Sequence, residues 1–140
     1  MARKAIERDG PDALKDWGTI TLFYGCRHPD IDYLYSEEWE EHKKELGGKF
    51  QIYTAFSRVQ GQPKVYVQQL ISQERELIKQ SLVEKKGYVY ICGDAKHMAR
   101  DVEDLLKEIL GEAKGGSKAK EGEAELKLMK DRNRCLMDVW

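Results

Sequence analysis

Long hydrophobic runs are missing from this sequence. No apolar stretch approaches the roughly 20 residues needed to cross a bilayer, and the opening MARKAIERDG is charged throughout where a signal peptide would be apolar. The chain as it stands is therefore expected to be soluble and cytoplasmic. An excess of either charge is missing too: 24 basic and 25 acidic side chains leave a formal net charge of −1. That balance excludes bulk attraction to nucleic acid or to an anionic membrane, so any anion site must be local. Cysteine is scarce. Cys26, Cys92 and Cys135 stand far apart, with no CxxC pair, no zinc spacing and no disulfide framework, which points to a reducing compartment. His28, His42 and His97 form no metal-ligand cluster either, and no metal is expected.

What is present is ordinary for a soluble globular protein. The 140 residues fit one domain, with 41% apolar and 35% charged side chains. Apolar, β-branched and aromatic residues cluster in three short runs that read as strands: Thr19–Gly25 (TITLFYG), Phe50–Ser57 (FQIYTAFS) and Gly87–Gly93 (GYVYICG). Helical spacing fills the gaps, over Tyr33–Leu46, Val65–Lys85 and Met98–Leu110. Strands alternating with helices predict an α/β fold, an open parallel sheet flanked by helices on both faces. Gly111–Glu125 (GEAKGGSKAKEGEAE) is small and charged and reads as a flexible loop with no core to contribute. A short helix around Glu123–Lys130 then leads into Cys135–Trp140 (CLMDVW), read as a last strand at the sheet's edge.

In an open α/β sheet, ligands bind at the carboxyl ends of the strands. Three polar clusters fall there: Gly25-Cys26-Arg27-His28, Ser57-Arg58 and Cys92-Gly93-Asp94. Ser57 and Arg58, with Lys64 and Tyr66 just beyond, offer a hydroxyl, a guanidinium fork, an ammonium and a phenol, a group suited to a phosphate monoester. In a dinucleotide fold, an acidic residue after the second strand holds the ribose of NAD, and a basic one accommodates the 2′-phosphate of NADP. A solvated basic loop would have the same composition; position after the second strand favours the phosphate site. Cys92 is either a buried structural thiol or, if it faces the cleft, a chemical one beside a glycine that lets a ligand approach. No pattern for thiolate catalysis surrounds it. Cys26 and Cys135 read as packing residues. Trp140 would fray unless Cys135–Val139 holds it as a strand. Asp138 is a solvated end charge or a cleft carboxylate, and spacing does not decide between them.

The stretches LFYGCRHPDIDYLYSEEW, TAFSRVQGQPKVYVQQ and YVYICGDAKHMARDVE and the end DVW, in that order, resemble the NADPH–hemoprotein (cytochrome P-450) reductases, diflavin enzymes of the ferredoxin–NADP reductase superfamily. Glu38-Trp39 and the end at Trp140 resemble the fungal members more than the animal ones. The resemblance implies a ferredoxin reductase-like NADP-binding domain over 1–140. It implies that Arg27 contacts the NADPH pyrophosphate, that Ser57, Arg58, Lys64, Tyr66 and Gln68 bind the 2′-phosphate and adenosine, and that Met98 lines the nucleotide cleft. Cys92 and Asp138 would lie beside the nicotinamide during hydride transfer to FAD. Trp140 would cover the flavin and swing aside. In the complete enzyme, electrons would pass through FMN to cytochrome P-450 or another haem protein, at the cytosolic face of the endoplasmic reticulum. The same module occurs in sulfite reductase flavoproteins, nitric-oxide synthase reductase regions and fused monooxygenase–reductases.

Two local departures stand out. Asn133-Arg134-Cys135 replaces the family's Gly-Arg-Tyr, which puts the approach to the last strand in question, and Gly111–Glu125 is unusually rich in glycine and lysine. A larger one is that no G-x-G-T-G-x-A-P loop, flavin-binding barrel or FMN domain is present. The strand leading into that loop is the central one in a sheet ordered 3-2-1-4-5. The chain is therefore expected to be a truncated product, an incomplete reading of its gene or an excised piece, with two half-sheets left with unpaired edges. It would be inactive alone, or a remnant that at most binds a 2′-phosphorylated adenine nucleotide.

Overall fold

The structure, a computed structural model, describes residues 2–115 and 119–140. The chain divides into two compact units, Met1–Leu70 and Ile71–Trp140.

In the first unit, α1 (Ala2–Asp9) and a 3-10 turn, Pro11–Leu14, precede β1 (Ile20–Cys26); α2 (Ser36–Leu46) then leads to β2 (Phe50–Phe56). The strands run parallel, from Ile20↔Phe50 to Cys26↔Phe56. Parallel neighbours need a crossover, and α2 supplies it. Aromatic side chains fasten the layers. Phe23 stacks on its register partner Tyr53 with centroids 5.0 Å apart, and Trp39 of α2 lies 6.1 Å from Phe50. Lys49 donates to the carbonyls of Lys15 (2.8 Å) and Trp17 (2.5 Å), tying the approach to β2 to the approach to β1.

The helix expected over Val65–Lys85 is broken. It becomes α3 (Val67–Gln73), α4 (Arg75–Lys79) and a π-helical turn, Gln80–Glu84, because Glu74 leaves helical geometry at φ −97° and ψ 27°. In the second unit follow β3 (Val89–Gly93), α5 (Met98–Ala113), α6 (Ala119–Asp131) and β4 (Cys135–Val139). Strands β3 and β4 are parallel, from Val89↔Cys135 to Gly93↔Val139. Ile91 and Cys135 are buried, as are Ala99, Val102, Leu106, Ile109 and Leu110 of α5 and Leu126 and Met129 of α6. Burying side chains of this kind is worth about 1.5–3 kcal/mol each, and the helix pair is the core of this unit.

The reading of Gly111–Glu125 as a loop is corrected. Residues 111–113 end α5 and 119–125 open α6, while 116–118 lie outside the described residues. The alanines, glutamates and lysines are good helix formers, and the glycines serve contact: Gly111 and Gly122 are both buried where α5 and α6 meet. The Asn133 departure is benign. Asn133 takes the left-handed conformation (φ 54°) with which helices commonly stop, so α6 ends as a glycine would end it and β4 begins two residues later.

Two parallel two-stranded sheets, β1–β2 and β3–β4, are what an open parallel sheet leaves when its central strand is removed. Among the described residues neither β1 nor β3 has a second strand partner.

Candidate functional site

The first group of expected site residues gathers at the carboxyl ends of β1 and β2. Beyond the last paired residues, the Ser57 N–H donates to the Cys26 carbonyl (3.1 Å) and the Arg58 N–H to the Arg27 carbonyl (2.8 Å). Cys26-Arg27 and Ser57-Arg58 therefore lie side by side. The chain then turns and comes back, with Val65 N–H on the Phe56 carbonyl at 3.2 Å. That return brings Lys64 and Tyr66 to the same strand end and starts α3, which carries Gln68. The side chain of Gln69 steadies the turn by accepting from the Tyr66 N–H at 2.7 Å. Arg27, Arg58, Lys64 and Tyr66 are exposed, and Ser57 and Gln68 are half-buried. None of the three cations is ion-paired among the described residues. Two guanidiniums, an ammonium and two hydroxyls without a counter-charge are the donor types that a local anion site needs in a chain of almost balanced charge.

The second group gathers at the carboxyl ends of β3 and β4. Cys92 and Asp138 are register partners and both are exposed. A buried thiol at Cys92 is thereby excluded, while Cys135 is buried and Cys26 half-buried. Burial pushes the thiols of Cys26 and Cys135 up from their ordinary range, with Asp32 adding to the effect at Cys26. Trp140 does not fray: its N–H donates to the Gly93 carbonyl (3.1 Å), its carbonyl accepts from Ala95 (2.9 Å), and its ring stays 78% exposed. Gly93 has φ 137°, a conformation that side chains rarely adopt, which is the reason for glycine here; the Met98 Cε lies 2.6 Å from where a Cβ would stand.

Asp94, named above only as a member of the polar cluster after the third strand, has a structural part of its own in this group. Its carboxylate accepts from the N–H groups of His97 (2.9 Å) and Lys96 (2.7 Å), shaping the turn that leads into α5. An aspartate just before a helical run is the signal that would have found it. The bond from the His97 N–H, helped by Lys96 and the His97 ring, holds the Asp94 carboxyl below its ordinary value of 3.8. A depressed carboxyl stabilises the fold above its unfolded pKa and loses that contribution as the pH falls through its folded one. Asp94→Ala is accordingly expected to melt below the unmutated chain at neutral pH. The gap should close on acidification past the ordinary carboxylate range, and a gap independent of pH in paired thermal melts would refute the assignment.

Residues 1–104 match the family model described as the oxidoreductase NAD-binding domain. The NADPH–cytochrome P450 reductase of Phanerodontia chrysosporium is 56% identical over 144 residues, covering 100% of this chain and 20% of the relative. The protein of that name from Aspergillus niger is 43% identical over 123 residues, 88% of this chain and 17% of its own length. That from Aspergillus fumigatus is 40% identical over 138 residues, 99% of this chain and 19% of its own. The chain thus spans about a fifth of the length of the curated relatives it matches.

Proposed function

This chain belongs to the oxidoreductase NAD-binding domain family, and from that premise we propose that it is the NADPH-holding part of a reductase that passes hydride from NADPH to FAD and electrons onward through FMN to cytochrome P450. The single observation that carries the choice of NADPH over NADH is the basic cluster at the β2 end, Arg58 beside Arg27 with Ser57 directly after β2. Its donor set fits a phosphate dianion. The planar guanidinium fork of Arg58 matches two phosphate oxygens, the Ser57 hydroxyl and Lys64 complete the shell, and Tyr66 offers an exposed ring to the adenine. An NAD site would need a carboxylate after β2, where this chain has Ser57-Arg58.

NADPH, when bound, supplies the hydride, and the flavins of the complete enzyme receive it. The residues of this chain orient and balance charge. With the cofactor bound, Asp138 would be the carboxylate that favours the positive charge left on the nicotinamide, Cys92 would help position the ring, and the exposed Trp140 would be the aromatic cover for the flavin. The names of the relatives support cytochrome P450 as the acceptor. With that acceptor the working location is the cytosolic face of the endoplasmic reticulum. Among the described residues no helix is long and apolar enough to cross a membrane.

The test is direct. The purified chain, folded by circular dichroism, is expected to be retained on 2′,5′-ADP resin and released by NADP⁺ but not by NAD⁺. Passage of the folded chain straight through the resin would overturn the proposal.

A further inference from the structure

Arg134, between α6 and β4, is half-buried, and its guanidinium is spent on backbone rather than on a carboxylate. Nη2 donates to the carbonyls of Leu82 (2.6 Å) and Gly87 (2.9 Å), and Nε to those of Gly87 (3.1 Å) and Lys86 (3.2 Å). Its own carbonyl accepts from the Val89 N–H at 2.8 Å. The acceptors are Leu82 in the π-helical turn and Lys86 and Gly87 just beyond it, with Lys86 held at φ 56°, a stretch where helix-end carbonyls lack intrahelical partners. A rigid fork of five N–H donors can serve three carbonyls at once, which a single ammonium on a flexible stem does poorly.

The Arg134 side chain thus holds the approach to β3, and its backbone carbonyl stands where β3 starts against β4. The register set at Val89↔Cys135 carries three residues on to Cys92↔Asp138, and then to the bond from Trp140 to Gly93. A slip of one residue would turn every side chain of a strand to its opposite face. It would take Cys92 off the exposed face and part it from Asp138. No second neighbour of β3 shares the task among the described residues.

We propose that Arg134 is a positioning residue for the hydride end of the site: by clamping the Leu82, Lys86 and Gly87 carbonyls it sets the β3–β4 register that presents Cys92, Asp138 and Trp140 together. This rests on the reading of that strand end as the nicotinamide side. The measurement is iodoacetamide alkylation of Cys92 in the full chain, located by peptide mass, with and without NADP⁺. In the unmutated chain NADP⁺ slows alkylation and 2′,5′-ADP, which lacks the nicotinamide, does not. In Arg134→Ala the protection by NADP⁺ is lost while retention on 2′,5′-ADP resin persists, and Arg134→Lys recovers part of the protection. Protection undiminished in Arg134→Ala would overturn the positioning role and leave the nicotinamide reading standing. An unmutated chain that binds the resin but gains no protection from NADP⁺ would overturn both. If Arg134→Ala does not fold, Arg134→Lys decides: reduced protection with resin binding intact supports the proposal, full protection overturns it. Loss of fold in both variants overturns it as well, because the residue then holds up the unit rather than its register.

Discussion

Arg58→Ala is expected to abolish retention on 2′,5′-ADP resin and to weaken NADP⁺ binding by roughly 10–100-fold, while leaving the weak affinity for NAD⁺ where it was. A charge-assisted hydrogen bond contributes about 1.5–3 kcal/mol, and each 1.4 kcal/mol is tenfold in affinity. Arg58 is exposed, which puts the effect towards the lower part of that span for each bond, and bidentate geometry raises it again. The selectivity is the informative part. NAD⁺ lacks the phosphate that Arg58 is assigned to hold, so only the ratio of the two affinities should collapse. Arg8→Ala serves as the control, since that guanidinium is exposed and already paired with Asp9. Titration of each variant with NADP⁺ and NAD⁺ checks the assignment. An Arg58→Ala chain that loses both ligands equally, with its fold intact, would show that the residue supports the loop rather than reading the phosphate.

Gly122→Ala is expected to lower the melting temperature by roughly 5–15 °C, although alanine is the better helix former by about 1 kcal/mol. Gly122 lies on α6 against α5, and a Cβ there would overlap the Lys107 carbonyl and come within 3.0 Å of the Gly111 nitrogen. Those neighbours are backbone and cannot rotate away. The helices must part instead, and the interface between them holds Leu106, Ile109, Leu110, Leu126 and Met129, the most deeply buried side chains of the unit. Overpacking costs about 1–3 kcal/mol, and a Cβ set against backbone puts it at the upper end, so about 2 kcal/mol of loss remains after the gain in propensity. Gly48→Ala is the control, because a Cβ at that position meets nothing within 4 Å. Thermal melts of the three chains decide the matter, and a Gly122→Ala chain as stable as the unmutated one would remove the close helix contact from the account.

Local chemistry explains which parts of this molecule can be read from residues alone. The runs TITLFYG, FQIYTAFS and GYVYICG differ from β1, β2 and β3 by a residue or two at the ends, because strand formation follows the local density of β-branched and aromatic side chains. The polar clusters that close those runs were legible for the same reason, and with them Ser57, Arg58 and Cys92. Residues 111–125 failed that test. Their glycines read as loop formers, yet Gly122 earns its place only from the backbone of the preceding helix, α5, against which it packs in space. The break at Glu74 and the π-helical turn after α4 were equally illegible, since nothing in Val65–Lys85 interrupts the helical spacing.

By itself, then, the sequence determined the strands, the alternation of strand and helix, the parallel α/β class with its two half-sheets, the basic answer after the second strand and the family, all of which depend on residue type and on spacing along the chain. Only the tertiary structure decided the register of β1 on β2 and of β3 on β4, that Cys92 is exposed opposite Asp138, that Trp140 is held by Gly93 and Ala95, and that Arg134 clamps three carbonyls. These are matters of register and of hydrogen bonds between residues far apart in the chain. The energies that set them, a backbone acceptor satisfied or left bare and a side chain turned to one face or the other, have no counterpart in a run of neighbouring residues.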